Sequence, residues 1–157
     1  MSWTATSTSP DETLAFGCRL GSLLRSGDVV FLLGGLGVGK TRFAQGIAAG
    51  LGADGARSPS FALVHVYQAK IPVYHADLYR LTGRSEVEDL GLAELGMDGV
   101  LIIEWAAIAA ADFPERLEVE LAHLPGRDEC RRLTITPHGA RYIELAAELK
   151  RHADPGS

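Results

Sequence analysis

The spacing of apolar residues alternates between strand-like and helix-like along this chain, and the pattern predicts an α/β protein. Residues 28–33 form a short apolar run between glycines, which is typical of a buried strand. Residues 100–103 form a similar run that ends in Glu104. Further strands are predicted at residues 3–8, 62–67, 71–76, 117–122 and 131–136.

Helices are predicted between these strands. Ser9 is a capping residue ahead of Pro10, which suits the first helical position, and Glu12 completes a capping box. Ser85 and Glu88 form the same box at the start of a helix predicted over residues 85–95. Other helical patterns lie at residues 43–51, 106–111 and 140–151.

The segment between the first buried strand and the next helix fits the phosphate-loop template G-x-x-x-x-G-K-[ST] at residues 34–41. Its glycines let backbone N–H groups face phosphate oxygens, and the helix N-terminus adds a positive dipole end. Lys40 would contact the β- and γ-phosphates, and the Thr41 hydroxyl would bind Mg²⁺. The alternative is a glycine-rich turn with a chance Lys-Thr pair, but the flanking strand and helix favour the nucleotide site. The predicted nucleotide contacts here are Gly35, Leu36, Gly37, Val38, Gly39, Lys40 and Thr41.

A dinucleotide-binding fingerprint is excluded, because Lys40 occupies the position where its last glycine would be required. Composition also indicates which nucleotide base the site would bind. Guanine-specific proteins of this class read the base with an Asn-Lys-x-Asp element, and this chain contains no asparagine. ATP is therefore favoured over GTP.

Hydrolysis also needs a carboxylate at the end of a neighbouring strand, and Glu104 is the best match. We expect it to bind Mg²⁺, the alternative being a surface carboxylate. Asp77 is the second candidate: either it orients water as a general base or it pairs with Arg80 for structure. His75 is interpreted as a packed or hydrogen-bonded residue rather than a ligand. The Ser60 hydroxyl lies in a loop where related hydrolases sense magnesium and γ-phosphate.

Composition limits the other possibilities. It suits one globular domain over residues 1–157, and the net charge of −5 gives no general reason to bind nucleic acid. Arg127, Arg131 and Arg132 form a basic cluster, interpreted as a solvated strand edge in preference to an RNA contact.

Cys18 and Cys130 have no partners at metal-ligand spacing, so neither zinc nor a disulfide is expected. Cys18 is expected to pack in the core.

The chain has no basic segment leading into an apolar stretch, and no apolar run approaches the ~20 residues needed to cross a bilayer. We therefore expect a cytoplasmic protein that binds neither membrane nor DNA.

Several short motifs occur in a fixed order: G-G-L-G-V-G-K-T at residues 34–41, S-P-S-F at 58–61, Y-H-A-D-L-Y-R-L at 74–81, D-L-G-L at 89–92 and I-E-W at 103–105. Together they resemble the TsaE family, formerly called YjeE, the small ATPases of bacterial tRNA threonylcarbamoyladenosine synthesis. The corresponding family motifs are G-D-L-G-A-G-K-T, S-P-T-F, Y-H-F-D-L-Y-R-L, E-L-G-L and I-E-W. The resemblance spans nearly the whole chain.

The resemblance implies a three-layer P-loop NTPase-like fold, with a mostly parallel central sheet flanked by helices and some antiparallel strands. It implies that Lys40, Asp77 and Glu104 are the catalytic residues, and that Trp105 lies near the site. The metal ligands would be Thr41, Ser60 and Glu104. Ser9 and Arg127 match family positions near the adenine base.

The resemblance also implies cofactors and partners. These are ATP or ADP with Mg²⁺, and the TsaB and TsaD proteins, which act with the ATPase to place threonylcarbamoyl on adenosine 37 of tRNA. Contact with tRNA would be indirect. The chain departs from the family pattern at Gly35 in place of an acidic residue, at Ser60 in place of threonine and at Arg42 in place of a second hydroxyl.

Two other functions fit parts of the pattern. A small P-loop kinase would share the loop and the magnesium residues, and would recruit Arg80 and Arg84 to a lid over a metabolite. A nucleotide-dependent switch with negligible turnover differs from a slow ATPase only in degree.

Overall fold

The computed structural model describes residues 1–53 and 63–153. A seven-stranded sheet forms its centre, in the order β1-β7-β6-β2-β5-β4-β3. Strands β6, β2, β5 and β4 are parallel to one another, whereas the pairs β1–β7, β7–β6 and β4–β3 are antiparallel. The strands are β1 Trp3–Ser7, β2 Val29–Leu33, β3 Val64–Tyr67, β4 Val73–Asp77, β5 Val100–Glu104, β6 Arg116–Leu124 and β7 Arg127–His138.

Helices cover both faces of the sheet, which confirms the predicted three-layer α/β fold. Within β2, Val30 and Leu32 face one apolar core, which they share with α1, α2 and α5. Val29 and Phe31 face the second core, together with α3, α4 and the 3₁₀ helix η1. The helices are α1 Pro10–Leu23, α2 Lys40–Gly50, α3 Arg84–Asp89, α4 Leu92–Leu95, η1 Ala106–Asp112 and α5 Ala140–Ala153.

Within residues 1–53 and 63–153, none of the helices combines the length and apolarity that a bilayer crossing requires.

The start of α1 confirms the prediction of a cap at Ser9, whose hydroxyl accepts the Glu12 backbone N–H at 3.1 Å. In a capping box, the Glu12 carboxylate would accept the N–H of Ser9. Here it accepts the N–H of the preceding residue, Thr8, at 3.2 Å. The prediction for Cys18 was wrong: its side chain is exposed.

The helix predicted over residues 85–95 is interrupted. The first half, α3, is preceded by Gly83, and no side chain caps it, so the box predicted for Ser85 and Glu88 does not form. The second half, α4, follows Gly91, which has a left-handed φ of 62°. Because a left-handed residue ends an α-helix, Gly91 divides the segment in two.

Glycines set the distance between α1 and α2. A Cβ atom at Gly21 would lie 2.1 Å from the carbonyl oxygen of Ile47, and one at Gly50 would lie 2.1 Å from the carbonyl oxygen of Cys18. Gly17 and Gly46 leave similarly little space against the opposite helix. The two backbones are therefore in contact, and the side chain of Cys18 lies outside this contact. Gly50 lies in the last turn of α2, and Gly52 (φ 95°) follows the helix end.

Tyr142 joins α5 to the start of β2, because its buried hydroxyl accepts the Val29 N–H at 2.9 Å. Burial raises the pKa of Tyr142. Above pH 10.0, the ordinary tyrosine value, the unfolded chain therefore loses a proton that the folded chain keeps. The free energy of unfolding should fall as the pH rises through this window.

We expect Tyr142→Phe to weaken that alkaline fall and to cost about 1–2 kcal/mol at neutral pH, because the Val29 N–H loses its partner. Urea unfolding at pH values from 8 to 11 would measure both effects. Tyr79→Phe, which changes an exposed tyrosine, is the matched control. An alkaline slope equal to that of the wild type would contradict the expected role of Tyr142.

Candidate functional site

Three neighbouring parallel strands bring the predicted site residues to one edge of the sheet. The register pairs Leu32 of β2 with Glu104 of β5, and Glu104 with Asp77 of β4. The glycine loop at residues 34–39 leaves the same end of β2 and leads into α2. The loop and both acids therefore surround one cavity of about 310 Å³. It is lined by Leu36, Gly37, Gly39, Lys40, Thr41, Asp77, Glu104 and Trp105.

The loop needs glycine at some positions and not at others. Gly34, Gly37 and Gly39 have φ values of 138°, 75° and 107°, which side-chain-bearing residues rarely adopt. A Cβ atom at Gly34 would also lie 2.5 Å from the Leu121 carbonyl oxygen. Gly35 has no such φ, and its Cβ position has no neighbour within 4 Å. A side chain would fit at Gly35, so the departure from the family's acidic residue is not forced by the fold.

The first turn of α2 presents main-chain donors towards the loop. Gly39 precedes the helix, and no side chain caps the helix N-terminus. The first N–H groups of a helix have no partner within it, and the helix dipole places partial positive charge there. This end of α2 and the glycine loop suit a bound phosphate group.

Lys40 is buried at the base of the cavity. Its Nζ atom donates to the carbonyl oxygen of Gly34 at 2.8 Å and lies 4.0 Å from Glu104 Oε1. It also lies 3.9 Å from the centre of the Trp105 ring. Burial lowers the pKa of Lys40, and the nearby carboxylates of Glu104 and Asp77 oppose that change only in part.

Glu104 is 5% exposed, so the alternative of a surface carboxylate was wrong. One oxygen, Oε1, faces Lys40. The other, Oε2, lies 2.5 Å from Nε2 of His75, which is also buried. The interpretation of His75 as a hydrogen-bonded residue is confirmed.

Asp77 is partly exposed at the cavity wall, where its Oδ1 atom accepts the Tyr79 N–H at 3.0 Å. Within the described part of the chain, Asp77 forms no ion pair with Arg80, so that structural alternative has no contact to support it.

Trp105 lines the cavity beside Lys40. The family resemblance implied a position near the site for this residue. Its backbone is left-handed, with a φ of 56°. Within residues 1–53 and 63–153, every other residue with a positive φ is a glycine. The ring of Tyr79 lies 4.9 Å from the Trp105 ring, centre to centre. A left-handed tryptophan costs of order 1–3 kcal/mol, and such strain is concentrated at functional sites.

Arg131 contacts the glycine loop from β7, so the interpretation of this residue as part of a solvated strand edge was wrong. Its Nε atom donates to the carbonyl oxygen of Val38 at 2.7 Å, across a separation of 93 residues. The alternating pattern of β7 predicts a strand residue here but contains no signal for this contact. Beside it is a second cavity of about 130 Å³. Its lining residues are Pro10, Thr13, Val38, Gly39, Arg42, Glu129 and Arg131.

The two residues expected near a base differ in their relation to this second cavity. Ser9 adjoins Pro10 in its wall, with the Ser9 hydroxyl occupied as the α1 cap. Arg127 is exposed at the start of β7, beside the turn at Gly126, and is not one of the lining residues.

The donor atoms at the first cavity fit Mg²⁺ with a nucleotide, rather than a metal held by protein alone. No group of three or more His, Cys, Asp or Glu side chains suits a metal ion in residues 1–53 and 63–153. Mg²⁺ is commonly bound by one or two protein oxygens, with phosphate and water completing its shell. Thr41 and Glu104 supply such oxygens. Ser60, the third predicted ligand, lies outside the described residues.

Comparisons with a family model and with known proteins point to one family. Residues 7–133 match the family model described as TsaE, threonylcarbamoyl adenosine biosynthesis protein. The tRNA threonylcarbamoyladenosine biosynthesis protein TsaE of Bacillus subtilis is 41% identical, with 91% of this chain and 90% of that protein covered. Its counterpart in Streptomyces coelicolor is 40% identical, with 80% and 90% covered.

The fold agrees with the same assignment. The crystal structure of YdiB from Bacillus subtilis superposes with a TM-score of 0.78 at 32% identity, covering 97% of this chain and 96% of that one. The family model covers most of the chain, and both relatives match over nearly their full lengths. This chain therefore belongs to the TsaE family of threonylcarbamoyl adenosine biosynthesis proteins.

Proposed function

We propose that this protein binds Mg²⁺-ATP, hydrolyses it slowly, and acts in the cytoplasm with TsaB and TsaD in the threonylcarbamoylation of adenosine 37 in tRNA. One observation carries the nucleotide part of the proposal: Lys40, Thr41, Asp77 and Glu104 line a single cavity at the glycine loop. A cation, a hydroxyl and two carboxylates beside main-chain N–H donors form the set that nucleoside triphosphate hydrolysis needs.

Each residue has a role that follows from its position. The loop N–H groups and Lys40 bind the phosphates, and Asp77, which is partly exposed at the cavity wall, orients the attacking water. Thr41 and Glu104 would hold Mg²⁺, which would neutralise the charge of the phosphates.

Slow turnover in isolation is supported by the contacts of the free chain. Lys40 Nζ donates to the carbonyl oxygen of Gly34 and lies over the Trp105 ring. These contacts must rearrange or share their atoms with the nucleotide, and a partner protein that favours the rearranged state would raise the rate. TsaB and TsaD are proposed as that partner on the strength of family membership.

Arg84, one of the two arginines that a kinase lid would recruit, has ionic partners elsewhere on the surface. Arg84 pairs with Asp112 at 2.7 Å and with Glu88 at 4.0 Å on the α3 and η1 surface. Arg84 is therefore paired on that surface, and among the described residues it has no hydrogen bond or ion pair with the glycine loop.

The proposal is tested by measuring phosphate release from ATP with the purified protein alone, and then with the cognate TsaB and TsaD pair. We expect Mg²⁺-dependent release that is slow alone and faster with the pair, and we expect ATP to be preferred to GTP. An Asp77→Asn variant controls for a contaminating ATPase, since it should lose turnover while it still binds ATP. Phosphoryl transfer to a small metabolite, without any effect of the pair, would overturn the proposal.

A further inference from the structure

Three buried polar side chains form a line that joins β4, β5 and the glycine loop. His75 lies on β4, Glu104 ends β5, and Lys40 begins α2. His75 Nε2 is 2.5 Å from Glu104 Oε2, and Glu104 Oε1 is 4.0 Å from Lys40 Nζ. The two oxygens of Glu104 therefore face different partners. Only one oxygen faces the Lys40 side of the cavity.

The surroundings of His75 indicate which ring nitrogen carries the proton. An ionised carboxylate can only accept a hydrogen bond, so Nε2 must donate to Glu104. Nδ1 is buried and has no hydrogen-bond partner among the described residues. A neutral ring with its proton on Nε2 leaves only a lone pair unpaired at Nδ1. A proton on Nδ1 would instead leave a buried N–H donor unsatisfied, which is the costlier arrangement.

The backbone around His75 is fixed. His75 pairs with Ile102 of β5 on one side and with His65 of β3 on the other, and the residue is 3% exposed. A glutamate side chain has several rotatable bonds, and an unsupported carboxylate would sample several orientations. A rigid donor on one oxygen removes that freedom and leaves the second oxygen directed at the cavity.

We propose that His75 is a positioning residue for the nucleotide site: its Nε2–H fixes Glu104 so that Oε1 is presented to the bound magnesium-nucleotide complex. This inference rests on the proposed function, because it assigns His75 a role in the same reaction. Supporting groups of this kind orient metal-binding carboxylates, and their loss commonly reduces metal affinity or activity by about 10–100-fold.

Two substitutions distinguish positioning from packing. In His75→Gln the amide nitrogen lies near the former Nε2 and can still donate to Glu104. In His75→Asn the amide nitrogen lies near the former Nδ1 and cannot reach Glu104. Calorimetric titration with a non-hydrolysable ATP analogue at graded Mg²⁺ concentrations gives the Mg²⁺ dependence of binding. Phosphate release then gives kcat.

We expect His75→Asn to need at least about tenfold more Mg²⁺ and to lose a similar factor in kcat. His75→Gln should recover most of both quantities. Binding of the analogue without Mg²⁺ should stay within about twofold in both variants, because the loop and Lys40 are unchanged. If Asn and Gln behave alike, either both like the wild type or both equally impaired, His75 does not position Glu104.

A measurement on the unmodified protein covers the case in which the variants fold poorly. The nitrogen chemical shifts of the His75 ring should show a proton on Nε2 and none on Nδ1, and a proton on Nδ1 would contradict the inference. The proposed function fails in a different way: the wild type itself would then show no Mg²⁺-dependent binding of the analogue.

Discussion

Lys40→Ala should reduce the affinity for ATP by at least about 100-fold, whereas Glu104→Ala should still bind nucleotide and lose Mg²⁺-dependent turnover. Lys40 carries the buried cation at the base of the cavity, and truncating one partner of a buried charge pair costs about 2–5 kcal/mol. Glu104 ends β5 and carries a negative charge, so its removal takes away neither the glycine loop nor the cation of Lys40. Calorimetric titration with ATP, followed by phosphate release, separates the two effects.

The folded state of Lys40→Ala should persist. Burial lowers the pKa of Lys40, so the positive charge is a cost to the free protein rather than a source of its stability. Lys70→Ala is the matched control, because it removes an exposed lysine that precedes the N-terminal end of β4. The candidate site lies at the other end of that strand. If Lys40→Ala folded normally and bound ATP as tightly as Lys70→Ala, the site would be assigned wrongly.

Gly21→Val should lower the free energy of unfolding by about 3 kcal/mol or more, which corresponds to a fall of roughly 6–12 °C in Tm for a chain of this size. The reason is the contact between α1 and α2, where a Cβ atom at Gly21 would lie 2.1 Å from a backbone oxygen of Ile47. A backbone atom cannot rotate away, so the helices must separate. Thermal and urea unfolding would measure the loss.

Ser22→Val tests whether the cost comes from the contact or from valine in a helix. Ser22 is the next residue of α1 and is exposed, so this change should stay within about 0.5 kcal/mol of the wild type. Equal stability of Gly21→Val and Ser22→Val would show that the close approach of the two helices is unimportant.

The sequence predicted the elements that carry strong local signals. The apolar run of β2, the glycine loop and the apolar run before Glu104 each have a period or a spacing that belongs to one structure. Parallel strands end at a common edge, so the meeting of the loop with Glu104 followed from those signals. The Ser9 cap is equally local, since it joins residues three positions apart.

The wrong predictions at Cys18 and Ser85 have different physical causes. Cys18 has the spacing of a core residue, but the face of α1 beside it is filled by the backbone of α2, which packs against Gly17 and Gly21. Ser85 and Glu88 have the spacing of a capping box, yet Gly91 bends the chain and the helix begins one residue earlier. The environment of Cys18 depends on a helix distant in sequence, whereas the break at Gly91 is a local signal that the apolar periodicity does not reveal.

The finer parts of the site depend on contacts between distant segments. The bond between His75 and Glu104 spans 29 residues, and it requires the register between β4 and β5. Sequence spacing gives the strand ends but not which side chains share a face across them. The pairing of Lys40 with the Trp105 ring depends in turn on the left-handed backbone of Trp105.

Glycine-rich loops are flexible, and a loop that must order itself around a ligand loses binding energy in doing so. The guanidinium of Arg131 counters this, because it holds the Val38 carbonyl oxygen at 2.7 Å and so restrains the peptide unit that leads into Gly39. The hairpin of β6 and β7 therefore restrains the glycine loop through a contact from a segment distant in sequence.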